Sequence, residues 1–229
     1  RREAAGEYSW VIIPYPSMSM SQNAGMSFEE YSSFVFNACK LNEENFIEAW
    51  EKVNAEQDKI IKSMGNSSTI RFLGERTNLS FSIEGRKWIN CNGKLNMPDG
   101  EIFTSPVEDS AQGHIYFDMP TTYLGTEASG IYLEFEKGIC VKAKAEVGED
   151  FLNKMIKMDD GSNKVGEIAI GTNHNIKKPT KDILFDEKIG GSIHMALGSS
   201  YNEAGGTNRS GLHWDIVKNI VMKKPFRIR

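Results

Sequence analysis

Two short runs constrain this chain more than any other part of it. Residues 165–171 read VGEIAIG and residues 192–198 read SIHMALG. Each is compact and mostly apolar, and each carries one ionisable side chain, Glu167 in the first and His194 in the second. Short runs of this composition bounded by turn-forming residues read as buried strands. A charge inside such a strand costs free energy unless it is paired or bound to a cation. The fold must therefore bring partners to Glu167 and His194. Downstream, His213-Trp214-Asp215 offers two more donors. Residues two apart in an extended segment point to one face, so the His213 imidazole and the Asp215 carboxylate leave a strand together. A nitrogen and a hard oxygen on one face suit a divalent transition metal. A His-x-Asp pair alone is more often an ordinary hydrogen bond. The glycines at 205, 206 and 211 let the connecting backbone turn tightly near a ligand.

The remaining pattern divides the chain. Residues 8–16, YSWVIIPYP, read as a short buried strand closed by prolines, and SMSMSQNAG as a loop. Ser27-Phe28-Glu29-Glu30 matches a capping box and predicts a helix start. A second helix is predicted from Glu43 to Met64, with Phe46, Ile47, Trp50, Val53, Ile60 and Ile61 as its apolar stripe. Gly65 then stops it, and the period changes. Residues 69–73 and 78–84 alternate as strands. LEF (133–135) and ICVKAKAEV (139–147) form a hairpin turning at Lys137-Gly138. Glu149 to Met158 reads as a short amphipathic helix. The fold class expected is α+β: a helical segment over residues 1–66, then a β-rich metal-binding domain over 67–229.

The composition narrows the function. A net charge of −4 without any Lys/Arg run argues against a nucleic-acid surface. No run approaches the ~20 apolar residues that span a membrane. Cys39, Cys91 and Cys140 are odd in number and far apart, so they read as reduced thiols of a cytoplasmic protein. The start at Arg1 without methionine and the end in MKKPFRIR lead to the expectation of a piece of a longer protein. Such a piece is expected to bind metal yet turn over substrate slowly.

Four motifs in order, NMPDGEIFTSP, GEIAIGTN, LFDEKIGGSIHMALGSSY and GGTNRSGLHWD, resemble the thermophilic metalloaminopeptidase family, the group of aminopeptidases T and S. The MSFEEY helix start and Gly85-Arg86-Lys87-Trp88 share the likeness, which covers nearly the whole chain. The resemblance implies a dimeric, dinuclear enzyme that removes N-terminal residues from peptides. It places metal ligands at Glu101, Glu167, His194, His213 and Asp215, and an active-site tyrosine at Tyr201. From spacing alone, Glu101 is a surface glutamate after a turn. Two features depart from the family: a shorter Tyr201–His213 loop, and Asn78 where many relatives carry aspartate.

Three carboxylates and two imidazoles suit two adjacent Zn, Co or Mn ions, with Glu101 or Glu167 bridging. Glu101, Glu167 and Tyr201 are thus the catalytic candidates, and a peptide with a free N-terminus is the expected substrate. The rival readings are another two-metal amide hydrolase and a non-enzymatic metal-binding or assembly module. His114 reads as a sheet-surface residue. His174 is a candidate neighbour of the ligands. Asp186 and Glu187 are candidates either to orient a ligand histidine or to pair with Lys188.

Overall fold

The Ser27 capping box forms as its sequence predicts. Ser27 Oγ accepts from the Glu30 amide at 3.2 Å, and the Glu30 carboxylate accepts from the Ser27 amide at 2.9 Å. This computed structural model describes residues 10–65, 67–219 and 227–228. Its helices are α1 (Met18–Asn23), α2 (Phe28–Ala38), α3 (Phe46–Met64), α4 (Glu149–Met155) and α5 (Ile183–Asp186). Its strands are β1 (Thr69–Gly74), β2 (Thr77–Ser82), β3 (Ile89–Cys91), β4 (Glu101–Thr104), β5 (Gln112–Phe117), β6 (Thr121–Tyr123) and β7 (Thr126–Ala128). They continue with β8 (Ile131–Glu136), β9 (Ile139–Lys144), β10 (Val165–Gly171), β11 (Ser192–Gly198), β12 (His213–Asn219) and β13 (Arg227–Ile228). The α+β class holds, with helices first and antiparallel sheets after.

Three local expectations change. Residues 8 and 9 lie outside the described residues, and the segment from Trp10 makes no strand. Its one bridge joins Ile12 to Asn96, and Val11, Ile12, Ile13 and Tyr15 are exposed. Proline at 14 and 16 removes two ladder donors, so pairing stops there. The segment SMSMSQNAG contains α1, because Ser17 Oγ caps it by accepting from the Met20 amide. The helix expected from Glu43 begins at Phe46, where Asn45 supplies the cap. Of its apolar stripe only Trp50 and Val53 are buried; the third buried residue is Gln57.

Two large antiparallel sheets carry most of the rest, and β6 pairs with β7 in a third, two-stranded one. Of the large sheets, one runs β13-β1-β2-β5-β8-β9 and the other β12-β11-β10-β4-β3. They share one core: Ile70, Phe72, Leu79 and Phe81 on the first meet Ile168, Met195, Leu197, Trp214 and Ile216 on the second. Each such side chain contributes about 1.5–3 kcal/mol on burial, which fixes which face of β10, β11 and β12 looks inward. In the five-stranded sheet, Asp215 stands opposite Ala196, which stands opposite Glu167. His194 is opposite Ala169, His213 opposite Gly198, and Glu101 opposite Gly171. By alternation all five donors occupy the face turned away from the shared core.

A bulge makes this possible. Val165 pairs with Leu197 and Glu167 with Ala196, so Gly166 is an extra residue in β10. In a regular strand Val165 and Glu167 would share a face. The inserted residue lets Val165 stay in the core while Glu167 points to the opposite side. Helices α2 and α3 lie against the five-stranded sheet. Asn173, just after β10, donates from Nδ2 to the Ala38 and Asp99 carbonyls at 3.0 and 2.9 Å. Gln57 Nε2 lies 2.9 Å from the carbonyls of Cys91 and Glu101. Thus α2 and α3 are tied to the start of β4, where Glu101 sits.

Candidate metal centre

Glu101 follows a glycine for a steric reason. Gly100 has φ +114°, and a Cβ there would lie 2.7 Å from Asn173 Cβ. Only glycine lets the chain pass Asn173 and turn the next side chain into the sheet face. Glu101 is therefore buried rather than a surface residue after a turn, at 6% exposure.

The five expected ligands converge. His194 Nε2 lies 3.3 Å from Glu101 Oε2, 3.3 Å from Glu167 Oε1 and 4.0 Å from Asp215 Oδ1. His213 Nε2 lies 3.4 Å from Glu167 Oε2 and 3.6 Å from Asp215 Oδ2. Glu167 and Asp215 thus turn one oxygen to each imidazole. Glu167 and His194 are nearly inaccessible, while His213 and Asp215 form the more open side.

Both imidazoles are oriented from behind. His194 Nδ1 is 3.1 Å from the Glu187 carbonyl, and His213 Nδ1 is 2.8 Å from the Ser199 carbonyl. A carbonyl only accepts, so each Nδ1 carries the hydrogen. Nε2 of each ring therefore faces the carboxylates: protonated, it donates to them, and once a cation displaces that proton it offers a lone pair, the arrangement by which metal-binding histidines are usually held. Glu187 therefore orients His194 through its backbone. Its carboxylate instead pairs with Lys188, whose Nζ also lies 3.5 Å from Glu101 Oε1.

The electrostatics describe a charge cluster that expects a cation. Burial pushes the Glu101 carboxyl up to about 8 against the pull of Lys188, and Asp215 up to about 6 against the pull of His213. Burial would also raise Glu167, but hydrogen bonds from both imidazoles outweigh it and hold it at about 2. Burial alone would lower the two histidines; the surrounding carboxylates reverse that and raise each to about 10. Without a cation, protonated imidazoles do the neutralising. Even so, Glu101 Oε2 and Asp215 Oδ1 are buried without a hydrogen-bond partner. Two such orphaned acceptors beside two inward-facing Nε2 atoms, whose protons a cation would displace, fit a divalent ion. Ligand atoms of Glu167, His194 and Asp215 lie within 4.8 Å of one another, as do those of Glu101, Glu187 and His194.

Tyr201 stands at the rim, 41% exposed, with its ring 4.9 Å from that of Phe103 and edge-on to His213 at 5.1 Å. Partial burial, and the carboxylates of Glu167 and Asp215, raise the phenol pKa, so it stays a donor. Three other residues stand apart from the cluster. His174 is exposed and lies against Gly190. His114 stacks on Tyr132 at 5.7 Å on the other sheet, as expected of a sheet-surface residue. Asp186 caps a turn, accepting from the Thr180 and Lys181 amides, and touches neither ligand histidine. Asn78, the departure from the family pattern, is exposed and bonds Arg71. Lys188 is the site residue that pattern reading left as a mere salt-bridge partner. A groove of about 800 Å³ lies over α3 among Glu43, Glu44, Glu48 and Glu56, and holds none of the five donors.

Comparison with known proteins gives the family. Residues 1–223 match the family model described as thermophilic metalloprotease (M29). Aminopeptidase T of Thermus thermophilus is 29% identical over 224 residues, covering 88% of this chain and 54% of that protein. Aminopeptidase AmpS of Bacillus subtilis is 29% identical over 225 residues, covering 90% and 53%. The solved structure of wild-type AmpT from Thermus thermophilus has a TM-score of 0.79 at 28% identity, covering 93% of this chain and 60% of that one. A 2,5-dihydroxypyridine dioxygenase from Pseudomonas putida KT2440 has a TM-score of 0.61 at 18% identity over 74% and 53%, a likeness of fold alone. The chain spans about half the length of the curated relatives it matches.

Proposed function

The chain belongs to the thermophilic metalloprotease (M29) family, and from that premise we propose that it acts as a metal-dependent aminopeptidase through Glu101, Glu167, His194, His213 and Asp215. One observation carries the site: two buried imidazoles, each tethered at Nδ1 by a carbonyl, aim Nε2 at the same carboxylates. The names of the relatives carry the exopeptidase reading. The finer proposal is two ions, of zinc, cobalt or manganese. Glu167, whose two oxygens face different imidazoles, and Glu101, which meets His194, would be among the residues holding them. The proposal extends to a β-rich catalytic unit over 67–229, to a peptide substrate with a free N-terminus, and to a cytoplasmic homodimer. Among the described residues no helix is long and apolar enough to cross a membrane.

Divalent ions bound there would polarise the scissile carbonyl and lower the pKa of a water to about 7. The chain's own groups do the rest. The carbonyls of Glu187 and Ser199 keep the ligand rings from rotating. Glu101 Oε2, buried without a hydrogen-bond partner, would be taken up by an ion, and the attacking water's proton would pass to a carboxylate oxygen of Glu101 or Glu167 left free of metal. The Tyr201 hydroxyl donates to the developing oxyanion, a contact typically worth about 3 kcal/mol. Phe103, Ala169 and Ala204 form an apolar cluster on the same face and keep bulk water off it.

The test strips the protein with a chelator, reloads it with each ion, and assays free-amine and N-blocked aminoacyl substrates. Metal-dependent turnover of the free-amine series alone is expected. Equal turnover of blocked substrates would indicate a different amide hydrolase, and tight binding without turnover a non-enzymatic module.

A further inference from the structure

The reaction proposed above makes no use of Lys188, yet its side chain has no exposure at all. Burying an ammonium is costly unless carboxylates meet it closely. Here Glu101 Oε1 lies 3.5 Å from Nζ, and Glu187 pairs with it as well. The backbone is pinned too: the Lys188 amide donates to the Phe185 carbonyl at 3.1 Å, and its carbonyl accepts from Asn173 at 3.0 Å. The ammonium is therefore a fixed positive charge behind the His194 side of the cluster.

That placement divides the donors unevenly. Glu101 and Glu187, with His194, form one of the groups whose ligand atoms lie within 4.8 Å of one another. Both of its carboxylates already serve Lys188. On the other side, Glu167 Oε2 and Asp215 Oδ2 face His213, and neither carboxylate is paired with Lys188. A dication leaning on Glu101 meets a like charge held by the same carboxylate; one leaning on His213 does not.

We propose that Lys188 makes the two ion positions unequal, so that the His213 side holds its ion tightly and the Glu101–His194 side takes a second, weaker and exchangeable ion. This rests on the reading of the cluster as a metal centre. Repulsion by this fixed unit charge, offset in large part by the two carboxylates that pair with it, weakens the second ion by about a hundredfold. Free metal concentration then sets how much of the protein carries both ions.

The test titrates chelator-stripped protein with Co²⁺, following heat and visible absorption and counting bound ions per chain by elemental analysis. The wild type should bind one ion tightly and a second about a hundredfold more weakly. Lys188→Met should close that gap to within about tenfold, and Lys188→Arg should keep it. If Lys188→Met fails to fold, Lys188→Gln, which leaves an amide donor for both carboxylates, is read in its place. Two equal ions in the wild type would overturn the proposal, as would a gap that the neutral variants leave unchanged. The latter result would leave the metal centre standing. No binding by the wild type would overturn the metal centre itself, and the role of Lys188 with it.

Discussion

Replacing Gly100 by alanine tests how the start of β4 sets the site. Alanine at φ +114° incurs about 1–3 kcal/mol of backbone strain. Its Cβ would also stand 2.7 Å from Asn173 Cβ, 3.2 Å from Asn173 N and 3.3 Å from its Cα. These are backbone and stem atoms that cannot swing aside, so relief requires moving Asn173, at a further cost of about 1–3 kcal/mol. Asn173 is 1% exposed and bonds the Ala38, Asp99 and Lys188 carbonyls. Its displacement disturbs α2, β4 and Lys188 at once. The sum is about 2–6 kcal/mol, against about 1–2 kcal/mol for Gly85→Ala, where φ is +71° and nothing lies within 4 Å of the new Cβ. In a chain of this size each kcal/mol lowers Tm by about 2–4 °C. Thermal unfolding of the metal-free protein should therefore show a loss for Gly100→Ala about two to three times that for Gly85→Ala. Co²⁺ titration should show weaker binding in the first variant only. Equal Tm losses, with metal binding intact in both, would refute the argument that Asn173 forces glycine before Glu101.

Tyr201→Phe keeps the ring contacts with Phe103 and His213 and removes one hydroxyl. Ion content and Tm should hold while kcat falls by about a hundredfold; an unchanged kcat removes that hydroxyl from the reaction. In metal-free protein the two histidines are raised from 6.5 to about 10, so their stabilisation is full below pH 6.5 and lost as pH rises towards 10. Glu167, lowered from 4.5 to about 2, stabilises above pH 4.5 and loses that contribution as pH falls towards 2. Metal-free Tm should thus decline from pH 6.5 to 10 while metal affinity climbs, because bound ions displace the same protons; a Tm rising across that window would contradict the cluster. Chelation at neutral pH should lower Tm, since a ligand present at a hundred times its Kd contributes about 2.7 kcal/mol. No Tm change on chelation, in protein shown to lose its ions, would mean that the cluster binds them without coupling to the fold.

Local rules held at several places where the decisive contacts are near in sequence, though not over residues 17–25, where the Ser17 cap makes a helix of an expected loop. The Ser27 box, the Lys137-Gly138 turn joining β8 to β9, and the shared face of His213 and Asp215 each depend on neighbours within a few residues. The donor types were legible too, because a lone Glu or His in an apolar strand demands a partner. What the chain in isolation left open depends on register and long-range packing. Gly166 had to be spare in β10 before Glu167 and Val165 could face opposite ways, and pairing with β11 decides that. Glu187 looked like a carboxylate partner for a histidine, yet its backbone carbonyl does the orienting because β11 brings His194 beneath it. Lys188 read only as a possible salt-bridge partner for Asp186 and Glu187. Only the meeting of α5, β4 and β11 buries it, and burial turns an ordinary ammonium into a fixed charge beside Glu101 and Glu187.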